Sequence, residues 1–247
     1  MNALTNGATI TVISNNKSYH TLDDWGFAIG NNDNIGHPEQ ETNYIYVPAM
    51  DGFLDLSESL SGRPIYKNRE ITIKLGGLRD PMNWDAIISK IRNDINGRRV
   101  KVTFDNDPAY FWQGRITLRD FDRFRSLGTC LLVLDAEPYK YEQLDSAEPW
   151  LWDPFNFETG VIHSYGERQI TGSGTITIPS GTMPVTPDIV VANKTSTNFT
   201  VTFNNVTYSL VVGSNYIPDI VINDEEEHTL TFTGTAKVSI VYRGGSL

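Results

Sequence analysis

Apolar and polar residues alternate over several short stretches in the first half of the chain. Every second residue is apolar at residues 70–75 and 99–104, which is typical of β-strands with one buried face. The turn sequence Asp105-Asn106-Asp107-Pro108 separates two of them. We therefore predict strands at residues 70–75 and 99–104 from the alternation, and at 110–118 and 128–136 from the strand-like stretches that follow the turn.

One stretch between these strands has helical spacing instead. Asp80 can cap a helix N-terminus, and Pro81 fits the first helical position, where its missing N–H costs nothing. Gly97 suits the left-handed residue that ends a helix. We predict one helix over residues 80–97, packed on the sheet by a single apolar stripe. The stripe consists of Trp84, Ile87, Ile88, Ile91 and Ile95.

The second half has no convincing helical spacing. Short strand-like stretches punctuated by Gly, Asn and Pro follow residue 174, and they predict an antiparallel β-sandwich. These stretches are TITIP, PDIVVAN, NFTVTFNN, YSLVVG, HTLTFTG and KVSIVYR. Residues 142–174 are rich in proline and aromatic residues and are interpreted as a linker whose aromatics pack on a neighbour.

The predicted fold is mainly β with one helix. Residues 1–141 form an α+β domain, and residues 142–247 form the sandwich domain together with the linker at 142–174. The charge distribution agrees with two domains. The net formal charge is −10, and residues 142–247 account for −8 of it, with 4 basic and 12 acidic side chains.

Composition and charge also limit the classes of function. Stable nucleic-acid binding depends on basic residues that neutralise phosphates, so a strongly acidic chain is not expected to bind nucleic acid stably. The chain has no apolar run of the ~20 residues needed to cross a bilayer and no secretory signal pattern, so no membrane insertion is expected.

Motifs for catalysis or metal binding are absent from the sequence. The four histidines, His20, His37, His163 and His228, lie outside any zinc-binding pattern. Nucleophilic-serine, phosphate-binding and dinucleotide-binding signatures are missing. Cys130, the only cysteine, lies in a strand-like stretch and is interpreted as a core residue. We therefore expect no enzymatic activity, no cofactor and no metal.

Three segments have more than one interpretation. The acidic run at residues 224–227 favours a solvated hairpin turn over a Ca²⁺ site, because the ligand spacing of an EF-hand is missing. The aromatics of residues 150–157 favour linker packing over a sugar-stacking platform. Residues 63–125 carry 14 basic and 8 acidic side chains, a mixture that suits a protein interface or a solvated face equally well.

Residues 47–77, VPAMDGFLDLSESLSGRPIYKNREITIKLGG, resemble the N-terminal domain of phage distal tail proteins. Ala49 stands where that family usually has glycine. The order and spacing of further segments continue the likeness over about 120 residues. The matching positions are Ser18-Tyr19-His20, Asp24-Trp25-Gly26, Asp51-Gly52, Leu54-Asp55-Leu56, Tyr66, Asn68-Arg69, Ile71, Trp84, Gly97-Arg98, Asp107-Pro108, Tyr110, Trp112-Gln113-Gly114-Arg115 and Glu137-Pro138-Tyr139-Lys140-Tyr141.

The resemblance implies a structural protein of the virion, made in the host bacterial cytoplasm and located at the tip of the phage tail. It implies a homo-hexameric ring of N-terminal domains around the DNA exit channel, with a galectin-like sandwich outside. The implied partners are the tail tube protein, the tape measure protein and the tail-associated, fibre or receptor-binding proteins. The positions assigned to the ring or partner interface are Asp51, Leu54, Asp55, Tyr66, Asn68, Arg69 and Arg115.

The main alternative function is a carbohydrate-binding module for host adhesion. It is motivated by the aromatic stretch at residues 150–157 together with the predicted sandwich. A hydrolase is a more distant alternative, because no set of residues takes defined catalytic roles.

Overall fold

The computed structural model describes residues 6–30, 34–78, 83–124, 127–147, 166–223 and 227–247. The chain divides into two compact units, Met1–Lys140 and Tyr141–Leu247. The described elements up to the boundary are β1 (Ala8–Val12), β2 (Lys17–His20), β3 (Ala28–Ile29), β4 (Asn34–Ile35), β5 (Tyr44–Ile45), β6 (Leu54–Asp55), β7 (Arg69–Leu78), α1 (Trp84–Ile95), β8 (Arg99–Phe104), β9 (Tyr110–Phe124), β10 (Leu127–Ala136) and β11 (Lys140–Glu142).

In the described part of the second unit, all regular secondary-structure elements are strands. They are β12 (Arg168–Ile170), β13 (Ser173–Ile178), β14 (Asp188–Ala192), β15 (Thr200–Phe203), β16 (Val206–Ser209), β17 (Gly213–Tyr216), β18 (His228–Thr233), β19 (Ala236–Val241) and β20 (Gly245–Ser246).

An antiparallel sheet with the order β2-β1-β8-β9-β10-β7-β3 forms the frame of the first unit. The four strands predicted at residues 70–75, 99–104, 110–118 and 128–136 are all present in it. The strand at 99–104 has the predicted bounds, whereas β9 continues to Phe124, beyond the predicted end at residue 118. Leu132 and Leu134 of β10, together with Ile71 and Ile73 of β7, are fully buried in its core.

Helix α1 covers one face of this sheet, as its apolar stripe predicts. Trp84, Ile88, Ile91 and Ile95 are buried in the same core as the strands, and Ile87 packs against that core half-buried. Gly97 has a φ of 73°, the left-handed conformation predicted for the helix end. The predicted start at Asp80 and Pro81 lies outside the described residues. The described helix begins at Trp84, with Asn83 as N-cap residue and no side-chain capping bond.

Two four-stranded antiparallel sheets make up most of the second unit, in the orders β12-β19-β14-β17 and β13-β18-β15-β16. Ile189 and Ile240 of the first sheet share one hydrophobic core with Val201 and Phe232 of the second. The predicted sandwich is therefore confirmed. Asn204 and Asn205 join β15 to β16 with φ angles of 47° and 64°, as a tight hairpin turn between strands requires.

The predicted linker at residues 142–174 is wrong at its C-terminal end. Residues 168–170 form β12, and Ser173 begins β13. The prolines and Gly-Ser-Gly sequence obscured this short alternation. The aromatics at 150–157 lie outside the described residues, as does most of the acidic run at 224–227, of which only Glu227 is described and is exposed.

Candidate subunit interface

A long segment of the first unit contributes nothing to that unit's core. None of the residues 34–68, which we call the arm, is buried. The arm is nevertheless ordered by backbone hydrogen bonds between its two ends. The Lys67 N–H donates to the Glu39 carbonyl at 2.8 Å, and the Glu41 N–H donates to the Ile65 carbonyl at 2.8 Å. The arm is therefore a regular structure without a hydrophobic core of its own.

At the centre of the arm, residues 43–56 form a hairpin, which we call the apolar hairpin. Tyr44 pairs with Asp55 and Ile45 with Leu54. The Asp55 carboxylate accepts hydrogen bonds from the hydroxyl and the backbone N–H of Ser57, and these bonds hold the pKa of Asp55 below its ordinary value. Ser57 Oγ in turn accepts from the Asn43 N–H, so this side-chain network closes the hairpin's base.

Large hydrophobic side chains of the apolar hairpin are exposed. The Tyr44 and Phe53 rings lie 4.2 Å apart between centroids, and Tyr46 meets Phe53 at 6.0 Å, so the aromatics contact one another. Monomeric proteins seldom expose a contiguous group of this kind unless it is a binding surface. The exposed set is Tyr44, Ile45, Tyr46, Val47, Met50, Phe53 and Leu54.

The turn of the apolar hairpin holds a strained residue. Ala49 has a φ of 65°, in the left-handed region that costs an L-residue roughly 1–2 kcal/mol. This is the position where the distal tail family usually has glycine. This chain has alanine at that position, and its backbone still adopts the left-handed conformation that glycine favours.

Three of the seven predicted interface residues lie on the apolar hairpin. Asp51, Leu54 and Asp55 are all exposed there. Asn68 and Arg115 come together elsewhere, at a small polar depression of about 150 Å³ that Asp135 and other polar residues also line. Asn68 Nδ2 donates to Asp135 Oδ1 at 3.1 Å, and Arg115 Nη1 donates to the Gly97 carbonyl.

The two remaining predicted residues make contacts inside the first unit. Tyr66 meets Tyr139 edge-on, with 6.2 Å between ring centroids. Arg69 is only 5% exposed; its guanidinium lies over the Trp112 ring and donates to the Pro138 carbonyl. Arg69 therefore stabilises the first unit and is not part of the exposed surface.

The prediction from sequence missed most of the apolar hairpin. It named Asp51, Leu54 and Asp55 but not the aromatic residues beside them. A signal was present in the sequence: Tyr44-Ile45-Tyr46-Val47 is a run without polar alternation, although the segment contributes nothing to the core. A strand that is apolar on both faces and lies outside the core indicates contact with another molecule on at least one face.

No set of ligands for a metal ion is present among the residues that the structure describes. In the same part of the chain, no helix is long and apolar enough to cross a membrane. Burial raises the pKa of the Cys130 thiol to about 12, so the thiol is protonated at neutral pH. This agrees with the interpretation of Cys130 as a core residue.

Comparison with protein-family models gives no match, and no curated protein matches the sequence. A solved structure does match: SPP1 Dit, described as a paradigm of the hub adsorption apparatus in phages that infect Gram-positive bacteria. The match covers 96% of this chain and 98% of that chain, with a TM-score of 0.59 and 12% sequence identity. The chain has the fold of a phage distal tail protein.

The likeness covers both units of the chain, since it leaves only 4% of the residues unmatched. The resemblance read from residues 47–77 and their flanking segments is thereby confirmed at the level of the fold. The mainly β architecture with one helix is confirmed with it. An identity of 12% leaves individual surface residues free to differ between the two proteins.

Proposed function

We propose that this chain is a structural protein of a phage tail, which forms a hexameric ring at the distal end of the tail tube. The ring surrounds the DNA exit channel and joins the tube and tape measure proteins to the baseplate or fibre proteins. The proposal places the protein at the tail tip of the virion. One observation carries it: a chain with the distal tail fold has an ordered arm at residues 34–68, none of whose residues is buried.

The arm supplies one of the two patches that a closed ring needs. In a cyclic assembly each subunit presents two different complementary surfaces, one to each neighbour. The exposed apolar hairpin has the aromatic composition that is enriched in the buried centre of protein interfaces. Its acidic rim, which includes Asp51 and Asp55, provides the polar surround.

Charge supports a head-to-tail contact between copies. The arm carries 5 acidic and 2 basic residues, a formal charge of −3, whereas the described, unburied residues of 70–123 include 9 basic and 7 acidic residues, a formal charge of +2. Exposed basic side chains in the latter segment include Arg99, Arg115 and Arg119. Opposite charges on the two surfaces favour docking of the arm onto the neighbouring subunit and disfavour contact of two arms.

The experiment is to determine the mass and symmetry of the purified full chain. Native mass spectrometry should show six times the 27.7 kDa chain mass, and negative-stain images should show a six-fold ring. Tyr46→Asp should dissociate the ring, because it places a charge in the centre of the apolar hairpin. The monomer should keep its unfolding temperature, since Tyr46 is 76% exposed.

Tyr216→Asp provides the matched control. Tyr216 has a similar exposure of 66% but belongs to β17 of the second unit, so the ring should survive this change. A wild-type chain that remains monomeric at high concentration, with or without the tube protein, would refute the proposal. A ring that Tyr216→Asp breaks and Tyr46→Asp leaves intact would assign the contact to the second unit.

The carbohydrate-binding alternative gains no support from the described residues. The aromatics that motivate it, at residues 150–157, lie outside them. We therefore propose no second function.

A further inference from the structure

Two edge strands of the second unit follow one another in the chain. β16 ends the sheet order β13-β18-β15-β16, and β17 ends the order β12-β19-β14-β17. Residues 210–212 connect them. We call residues 206–216 the open edge, because no strand in the described part of the chain pairs with the outer side of β16 or β17.

Exposed apolar side chains of the second unit are concentrated at the open edge. Of the five large hydrophobic residues that are exposed among its described residues, four lie between positions 206 and 216. Their exposed fractions are 50% for Val206, 63% for Val211, 65% for Val212 and 66% for Tyr216. The fifth is Leu247, the final residue of the chain.

The open edge lacks the devices that usually keep edge strands from pairing with other chains. Such edges commonly carry lysine, other charged residues or proline. The sequence VTYSLVVGSNY at 206–216 contains no charged residue and no proline. The other two edge strands differ: β12 contains Arg168, and the exposed side chains of β13 are those of Ser173, Thr175 and Thr177.

The side chains of β16 show which face an added strand would cover. Val206 pairs with Phe203 and Tyr208 pairs with Val201, and both partners are buried in the core. Cross-strand partners share a face of the sheet, so Val206 and Tyr208 lie on the inner face. Val206 is half exposed there because the sheet ends at β16. One further strand would continue that inner face.

Charged groups that contact the open edge are mainly acidic. Tyr208 Oη donates to Asp219 Oδ2 at 3.1 Å, and Ser214 Oγ donates to Asp188 Oδ1 at 2.6 Å. Lys194 Nζ reaches the Leu210 carbonyl at 3.3 Å. Residues 142–247 carry a formal charge of −8, so a second copy of this unit would be repelled, whereas a strand with basic residues would be attracted.

We propose that β16 accepts a strand from another protein, an extended segment with apolar side chains at alternate positions and basic residues at its ends. The backbone N–H and C=O groups of both strands form the ladder, and the alternate apolar residues continue the inner face beyond Val206. Recognition by strand addition takes its affinity from the main-chain hydrogen bonds and its specificity from alternate side chains. This site lies in the second unit and does not depend on ring formation.

The test uses the full chain and a synthetic peptide, Lys-Thr-Val-Thr-Val-Thr-Val-Thr-Lys, as the probe. Fluorescence anisotropy of the labelled peptide measures binding, and hydrogen–deuterium exchange locates it. We expect slower exchange at residues 206–209 when the peptide is bound. Val206→Lys should weaken binding about tenfold or more, because it removes an apolar cross-strand partner and repels the basic ends. Replacing both peptide lysines with glutamate should weaken binding similarly.

Thr175→Lys is the matched control, with the same added charge. Thr175 is exposed on β13, the opposite edge strand of the same sheet, and its substitution should leave binding within about twofold. The proposal is overturned if the peptide does not bind at millimolar concentration, or if Val206→Lys and Thr175→Lys act alike. The proposal is also overturned if exchange at residues 206–209 slows as the protein concentration rises in the absence of peptide. That result would show that a second copy of the chain binds β16. The mass of the oligomer is measured separately, and it tests only whether the proposed ring forms.

Discussion

The guanidinium of Arg69 lies over the Trp112 ring, with 4.7 Å between its central carbon and the ring centroid. Its Nη2 donates to the Pro138 carbonyl at 2.5 Å, and burial lowers its pKa from the ordinary arginine value. The contact joins β7 to β9 on the face of the sheet that also holds the core. Packing of the side-chain stem, the cation–π contact and the hydrogen bond all depend on this one residue.

Arg69→Ala should lower the free energy of unfolding by about 2–4 kcal/mol, because it leaves a cavity above Trp112 and an unpaired carbonyl at Pro138. Chemical denaturation of the full chain measures the change. Arg119→Ala is the control: Arg119 is exposed and pairs with Glu70 at 3.2 Å, so its loss should cost at most about 1 kcal/mol. Equal losses for the two variants would show that the Arg69 contact contributes no more to the free energy of unfolding than an exposed ion pair does.

Ile91→Asp should destabilise the first unit by several kcal/mol, because it places an unpaired charge where α1 packs on the sheet. Ile91 is fully buried in that position. Lys90→Asp, at an exposed site one residue earlier on α1, makes the same side chain without burying it. Thermal unfolding should separate the two variants clearly. Similar melting temperatures would mean that the helix face is assigned incorrectly.

Ala49→Gly should make the apolar hairpin more rigid. It relieves roughly 1–2 kcal/mol of left-handed strain and costs roughly 0.4–1 kcal/mol of added freedom in the open state, so the net gain is on the order of 0.5–1 kcal/mol. Hydrogen exchange of the Met50 amide, which donates to the Val47 carbonyl at 3.1 Å, reports on this turn. Its exchange should slow severalfold.

Ala86→Gly should have the opposite effect on stability, although the substitution is the same. Ala86 is exposed on α1, where glycine costs about 1 kcal/mol relative to alanine. Its helix amides should therefore exchange faster. If Ala49→Gly also accelerates exchange at Met50, the left-handed conformation of the turn is not a source of strain.

Cys130 should not react with a thiol reagent at pH 8 while the protein is folded. Its pKa is raised to about 12 by burial, and only the thiolate is nucleophilic. Unfolding in urea should release one reactive thiol per chain. Because burial raises the pKa of the Cys130 thiol in the folded protein, the thiol lowers the free energy of unfolding only as the pH rises above its unfolded pKa near 9. Rapid labelling of native protein would contradict its burial.

Duplex DNA should not bind the assembled protein near physiological salt. The proposed hexamer would have a formal charge of −60, six times the −10 of one chain, and such a surface repels phosphate. Fluorescence anisotropy with a labelled duplex measures this directly, and a basic DNA-binding protein serves as the positive control. Micromolar affinity would contradict a channel through which DNA passes without being held.

Local patterns predicted the parts of the fold that depend on one buried face. Alternation located β7 and β8, because one face of each strand is buried in the core. The Trp84–Ile95 stripe located the helix, because that stripe packs against the sheet. Two-residue strands such as β5 and β6 are too short for a period to be read. Their positions depend on pairing across a loop, which a local pattern does not contain.

Arg69 shows how a functional interpretation can override a pattern. It precedes Ile71, Ile73 and Leu75 in the same alternation, so the sequence already placed it on the buried face of β7. The family resemblance assigned it to an interface instead. At the open edge the apolar run SLVV was read as part of one strand, whereas the chain there leaves β16 and enters β17. Which edges a sandwich leaves unpaired is decided by the order of its strands, which periodicity does not determine.

The position of β1 in the sheet has a consequence for biosynthesis. Val12 pairs with Val100, so β1, which pairs with β2 on its other side, can join the rest of the sheet only after β8 has left the ribosome. At roughly 5–20 residues per second, that delay is on the order of ten seconds. The apolar hairpin emerges during this interval, before any of the long strands is made. Since β9 and β10 lie between β8 and β7 in the sheet, β1 and β8 are connected to β7 only after β10 has been made as well.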